Sequence, residues 1–324
     1  MLQLFTSIRP PGDAESVTYL RDCLNSWRSA GFGAVALNGP TETDALRKLD
    51  LPIEFSVMAA DGKPRIGAFL SAIRERSCRF AGIINSDCRI AGYPGLAVNL
   101  QNQLEGRALL AWRLDVCDLK PFAARYGFDA YFFDTGIMPA DDAGFSIGEP
   151  WWDYWFPLAC EMRGARIETL ALPLLTHKVH PLNWKRRRWD DGAQRFWDAL
   201  KSWRPAVPAK RSLFAEIPDA WWNREQLTAY QVGILSLTVP LWFHKERPQT
   251  VAIMPSDMAE MEMMFHLGGQ ALLESSELTI VENMLRRAIR PLRMAEAMFR
   301  RARQAVFAPL GSLAGRGRAE GRRH

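Results

Sequence analysis

Ala81-Gly82-Ile83-Ile84-Asn85-Ser86-Asp87 is an apolar run that reads as a buried strand and breaks off in an amide, a hydroxyl and a carboxylate. Open α/β sheets bind ligands outside the carboxyl ends of their strands. Asp87, with Asn85 and Ser86 beside it, therefore stands where a metal-bound phosphate would sit.

The flanking pattern extends that strand into a sheet. Leu2 to Ile8 reads as a strand closed by Arg9-Pro10-Pro11-Gly12, and Ala14 to Ala30 as a helix stopped by Gly31 and Gly33. A strand at Ala34 to Leu37, a helix from Thr41 to Leu49 with Thr41 as its cap, a strand at Ile53 to Met58 and a helix at Ile66 to Arg76 follow. Later strands are predicted at Ala108 to Trp112, Ala130 to Phe133 and Arg166 to Leu172. Short strands alternating with helices predict an α/β fold with a mostly parallel sheet covered on both faces.

Composition narrows the class. The chain has 324 residues, 48% apolar and 24% charged, enough for a sizeable core and a smaller second unit. Five scattered cysteines without a C-x-x-C pair point to a reducing, cytoplasmic setting rather than to a disulfide framework or zinc knuckle. No export signal is expected. The longest apolar stretch, Val232 to Phe243, contains Pro240 and falls short of the roughly 20 residues that cross a bilayer. Eleven arginines and two glutamates give the stretch from Asn283 to His324 a charge of +9 against a total of +5, so residues 1–282 carry −4. An acidic body disfavours a nucleic-acid partner.

Two further segments carry chemistry. In Gly148-Glu149-Pro150-Trp151-Trp152-Asp153, a helix is predicted to start near Asp153, with Pro157 close to its first turn. Asp153 then either caps that helix, with the tryptophans as core, or faces the pocket as a general base, a role open to Glu149 too. In Thr176-His177-Lys178-Val179-His180 the two imidazoles point to opposite faces of an extended chain, so at most one of them is expected to reach a metal at Asp87.

Taken in order, Asn85-Ser86-Asp87, Trp112-Arg113-Leu114-Asp115, Gly127-Phe128-Asp129-Ala130, Ile147-Gly148-Glu149-Pro150-Trp151-Trp152-Asp153 and His177 to His180 resemble bacterial glycosyltransferase-like proteins of the GT-A fold, over roughly residues 1–185. Relatives commonly carry D-x-D where this chain has Asn85 at the first position. The resemblance implies a nucleotide-diphosphate sugar across the carboxyl edge of a Rossmann-like sheet, with a divalent cation, Mn²⁺ or Mg²⁺, bridging Asp87 and the diphosphate. His180, or else His177, would complete the metal shell. Thr6, Ser7 and Arg9 would contact the nucleotide, and Asn38 the base or ribose. Asn85 and Ser86 would stand beside the donor. Arg113, Asp115 and Asp129 would line the pocket, Arg113 and Asp115 serving equally well as a structural ion pair. Asp153 first, and Glu149 second, would deprotonate the acceptor hydroxyl in an inverting transfer.

Residues 1–205 are thus expected to form the catalytic domain, 206–310 a mainly helical region and 311–324 a disordered basic tail. Trp203, Trp221, Trp222 and Trp242 offer an acceptor platform or packing, and Met258, Met261, Met263 and Met264 core or a partner surface. From Leu285 to Val306 apolar residues recur at helical spacing among arginines, an amphipathic helix that either packs on the domain or lies on anionic lipid. The expected acceptor is a cell-surface polysaccharide or glycolipid precursor, and the expected location cytoplasmic, peripheral on the membrane. The competing readings are a non-catalytic, transferase-like scaffold and a sugar nucleotidyltransferase, the latter opposed by the absence of a Gly-rich amino-terminal loop.

Overall fold

The computed structural model describes residues 1–92, 94–117, 120–124, 128–170, 174–178, 185–204, 213–246 and 249–250. His180, the Met258–Met264 cluster, the arginine-rich stretch and the basic tail lie outside these residues.

Among the described residues one sheet has eight strands in the order β12-β10-β6-β9-β4-β1-β2-β3. They are β1 (Gln3–Thr6), β2 (Gly33–Asn38), β3 (Glu54–Val57), β4 (Phe80–Ile84), β6 (Arg107–Ala111), β9 (Ala130–Asp134), β10 (Arg166–Leu170) and β12 (Gln249–Thr250). Only β9 runs antiparallel to its neighbours β4 and β6. The mostly parallel α/β fold expected from the alternation is therefore the observed one.

Side chains alternate across this sheet, as a period of two requires. Phe5, Val35, Ile83, Leu110, Tyr131 and Phe133 pack with α3 (Ile66–Glu75), α5 (Trp152–Glu161), α6 (Arg186–Trp203), α7 (Leu213–Glu216) and α8 (Ala229–Glu246). Leu4, Ala36, Ile84, Leu109 and Phe132 pack with α1 (Ala14–Ser29), α2 (Pro40–Arg47) and α4 (Leu96–Gln101). Residues 213–243 thus share a core with the sheet. Gly82 is required in the middle of it, because a Cβ there would lie 2.6 Å from Leu4 Cδ2 and 3.0 Å from the Tyr131 carbonyl oxygen. Among the described residues no helix is long and apolar enough to cross a membrane.

A second sheet, unforeseen in the sequence, has the order β5-β11-β7-β8: β5 (Cys88–Ile90), β11 (Leu175–Lys178), β7 (Arg113–Cys117) and β8 (Lys120–Ala124). It grows out of the first. The chain passes from β6 to β7 through Trp112 alone, and β11 follows β10; both pairs are parallel, β6 with β10 and β7 with β11. The indole N–H of Trp112 donates to the Leu170 carbonyl at 2.7 Å and ties the two exits together.

Two local expectations are corrected. Gly39, not Thr41, stands at the N-cap of α2, and Thr41 bonds to Asp61 through its backbone N–H at 2.9 Å and its hydroxyl at 2.6 Å. Asp153 is not an N-cap: Trp151 holds that position with φ 75°, and Asp153 lies in the first turn of α5. Trp222 stacks on Trp197 with centroids 4.9 Å apart, and Trp242 packs edge-on to Phe243 at 5.0 Å, so both belong to the core.

Candidate active site

The register of the second sheet assembles the site. His177 pairs with Asp115 across β7 and with Cys88 across β5, which brings it beside Asp87 at the end of β4. His177 Nδ1 lies 2.9 Å from Asp115 Oδ1, and Nε2 lies 3.5 Å from Asp87 Oδ2. Two residues apart on one face of β7, Arg113 and Asp115 meet at 2.8 Å, and Arg113 Nη1 reaches Asp129 Oδ2 at 2.7 Å. The Asn85 side-chain amide donates to the other oxygen of Asp129, and its backbone N–H donates to the Asp129 carbonyl at 2.9 Å. Asp87, His177, Asp115, Arg113, Asp129 and Asn85 are therefore one continuous polar network at the carboxyl edge. Arg113 and Asp115 form the ion pair and line the site together.

Helix α1 fixes that edge from behind. The Tyr19 hydroxyl donates to the Asp87 carbonyl at 2.9 Å and accepts from the Lys178 N–H at 2.8 Å, clamping the segments that carry Asp87 and His177. The Trp27 indole donates to the Cys88 carbonyl at 2.8 Å. Neither role is visible in the sequence, where Tyr19 and Trp27 are two aromatic residues on an amphipathic helix.

Asp153 approaches from the other side. Pro157 falls in the second turn of α5, so it has no N–H to give the Asp153 carbonyl four residues earlier. The Tyr131 hydroxyl takes that place at 2.5 Å and also donates to the Phe128 carbonyl at 3.0 Å. This pins the start of α5 to β9, next to Asp129.

The electrostatics follow from the crowding of partly buried carboxylates. Burial, with Asp129 adding, pushes Asp153 up to about 7 against the pull of Arg113 and the N–H groups of Asp153 and Phe128. Burial also raises Asp129, although Arg113 draws it back. Burial would lower His177, but Asp115 and Asp87 reverse this and hold it at about 9. Asp115 resists its own burial and stays below the usual range because His177 and Arg113 stabilise its charge.

Other expected residues are placed differently. Glu149 is not with this network: its Oε2 lies 3.6 Å from Arg195 Nη2, toward α6. Asn38 is fully buried, and its amide is consumed by the Ile8 N–H at 3.2 Å, the Ile8 carbonyl at 2.8 Å and Glu42 at 2.7 Å. It braces the loop after β1 from within and has no group left for a ribose. Thr6 is buried with its hydroxyl unpartnered, whereas Ser7 is half-buried and Arg9 exposed.

Among the described residues no three His, Cys, Asp or Glu side chains converge as a ready metal cage. The donor set nevertheless suits a divalent ion whose remaining ligands come from a diphosphate. A carboxylate and an imidazole face each other, and Asp115 holds the distal ring nitrogen, the outer-shell pattern that orients metal-binding histidines.

The mostly parallel sheet with one antiparallel strand is an α/β fold that sets Asp87 in the turn between β4 and β5. No family model and no curated protein matches the chain. Among solved structures the fold is similar to S. aureus TarS (13% identity, TM-score 0.43, 61% of this chain and 39% of that one). It is likewise similar to TarS 1-349 in complex with UDP-GlcNAc (12%, 0.41, 62% and 65%). A third is the mannosyltransferase PcManGT from Pyrobaculum calidifontis in complex with GDP-Man and Mn²⁺ (12%, 0.40, 92% and 83%). The chain spans about two fifths of the longer TarS chain it matches.

Proposed function

We propose that this protein is a metal-dependent glycosyltransferase that moves a sugar from a nucleotide-diphosphate sugar to a hydroxyl acceptor. The observation that carries the reading is Asp87 at the carboxyl end of β4, 3.5 Å from an imidazole that Asp115 orients, with a carboxyl poised near neutrality at Asp153. Asp87 and His177 Nε2 would hold a divalent cation, Mn²⁺ or Mg²⁺. Such an ion supplies a Lewis acid that stabilises the departing diphosphate. Arg113 is shared between Asp115 and Asp129, so it keeps the cleft from becoming too negative for a diphosphate. Asp153 takes the proton from the acceptor hydroxyl, a role for which a value near 7 is well matched. Attack from that face makes the transfer inverting. Ser7 and Arg9, after β1, meet the nucleotide, with Thr6 buried behind them at the end of that strand. The acceptor is a cell-surface polysaccharide or glycolipid precursor, and the stretch 285–306 meets anionic lipid from the cytoplasmic side.

The direct test is release of nucleoside diphosphate from UDP- and GDP-sugars in the presence of Mn²⁺. Asp153→Asn is expected to keep nucleotide binding and lose turnover by at least 100-fold. Equal turnover in the variant would remove Asp153 from the mechanism.

A further inference from the structure

Tyr131 is fully buried in β9, the strand that runs antiparallel between β4 and β6, and stands opposite Ile83 on one side and Leu110 on the other. Three aromatic rings meet its own ring edge-on: Trp152 at 5.2 Å, Phe156 at 5.3 Å and Phe128 at 6.5 Å between centroids. Trp152 and Phe156 are one turn apart on α5, so the start of that helix is seated on the tyrosine ring. The phenol oxygen comes out where two peptide groups meet. It lies 3.0 Å from the Phe128 carbonyl oxygen, one residue before Asp129, and 2.5 Å from the Asp153 carbonyl oxygen. A hydroxyl carries one hydrogen, so a single donor is shared between the residue that leads into Asp129 and the backbone of Asp153 itself.

The Asp153 carbonyl depends on that donor. Two residues earlier, the Trp151 carbonyl takes the Trp155 N–H at 2.9 Å in the ordinary helical way. Four residues after Asp153 stands Pro157, which has no N–H to give. A second contact holds the same turn. Trp151 has a φ of 75°, which a bulky residue keeps only where its surroundings impose it. Gly192 of α6 leaves the room for it, because a Cβ there would lie 2.8 Å from the Pro150 carbonyl oxygen and 2.9 Å from Trp151 Cδ1. The turn before Asp153 is thus fixed against α6 and the backbone of Asp153 against β9, and neither contact uses the Asp153 carboxyl.

We infer that Tyr131 is the positioning residue for Asp153: its hydroxyl makes the bond that Pro157 leaves open and so fixes where the Asp153 carboxyl stands when it meets the acceptor. This deepens the glycosyltransferase reading and rests on it, since Asp153 is the base there. Buried as it is, Tyr131 acts through the backbone of Asp153 and not on a substrate. A reacting group misplaced by about 1 Å loses on the order of 100-fold in rate. The donor is held by other residues and keeps its affinity.

Turnover and urea unfolding of the full-length protein test it in Tyr131→Phe, Pro157→Ala, the double variant and Ile73→Val, a buried α3 position in the same core. With UDP- and GDP-sugars and Mn²⁺, Tyr131→Phe should lower kcat for nucleoside diphosphate release at least tenfold and leave KM for the donor within about twofold. Pro157→Ala returns an N–H to residue 157, so the double variant should regain stability over Tyr131→Phe and recover kcat to within about threefold of Pro157→Ala. Ile73→Val should lose stability and keep kcat. Unchanged kcat in Tyr131→Phe, an equal fall in Ile73→Val, or a double variant no better than Tyr131→Phe in either measure would each overturn the inference. A wild type that releases no nucleoside diphosphate would instead overturn the glycosyltransferase reading, and with it the role assigned to Tyr131, while the unfolding series still reports whether the hydroxyl serves the Asp153 carbonyl.

Discussion

Asn85 departs from the D-x-D pattern for a reason found 44 residues away. Its side-chain amide donates to Asp129, a buried carboxylate already held by Arg113. An aspartate there would set two carboxylates against each other, and one would have to keep a proton. Asn85→Asp is expected to cost about 1–3 kcal/mol, more at pH 8 than at pH 5, because the added group would have a raised folded pKa and lose its favourable form as pH rises. Urea denaturation at the two pH values checks this; a variant as stable as the wild type at pH 8 would contradict the assigned hydrogen bond. The substitution was legible in the sequence, but its cause was not, since a pairing between the end of β4 and the start of β9 leaves no local signal.

The elements differ in how much of themselves they announce. Strands β1, β2 and β4 and helices α1 and α3 are apolar runs with clear stops, marked by Gly31, Gly33 and the Asn38-Gly39-Pro40 turn. The second sheet is built from short polar strands, Arg113 to Cys117 and Leu175 to Lys178, whose cohesion comes from pairing rather than pattern. The sequence offers His180 ahead of His177 as the metal's histidine and Asp115 as a pocket residue, whereas the pairing of His177 with Asp115 comes only from register. Pro157 signalled that α5 needed an external donor for the Asp153 carbonyl, without saying that Tyr131 supplies it. At this scale the clamp by α1 is the feature to test. Tyr19→Phe removes a donor from the Asp87 carbonyl and an acceptor from the Lys178 N–H. It should cost about 1–3 kcal/mol and weaken Mn²⁺ binding roughly tenfold, as outer-shell losses do. Mn²⁺ titration followed by electron paramagnetic resonance reads the second effect, and unaltered affinity would show that the clamp does not position Asp87.

Across the molecule, the site sets a pH profile. His177, raised to about 9, contributes stability that is complete below its unfolded value of 6.5 and lost as pH climbs through 9. Asp153, raised to about 7 from 3.8, costs stability progressively as pH rises from about 4 to 7, since the unfolded chain releases that proton first. Both slopes run the same way. The melting temperature without metal should therefore fall from pH 6 to pH 9, and Asp153→Asn should flatten the portion below pH 7; an unchanged profile in the variant would mean that Asp153 titrates normally. Metal binding should strengthen over the same range, because His177 Nε2 must give up its proton to ligate.

In the proposed mechanism Asp87 and His177 hold a cation against a nucleoside diphosphate. Thermal stability with UDP, GDP, CDP and dTDP, with and without Mn²⁺, in the wild type and Asp87→Ala tests it most directly. Ligand at about 100 times its dissociation constant stabilises a fold by roughly 2.7 kcal/mol, which such a scan resolves. The expected shift requires Mn²⁺, favours one base and disappears in Asp87→Ala. A shift with no nucleotide, or one that persists without Asp87, would contradict it.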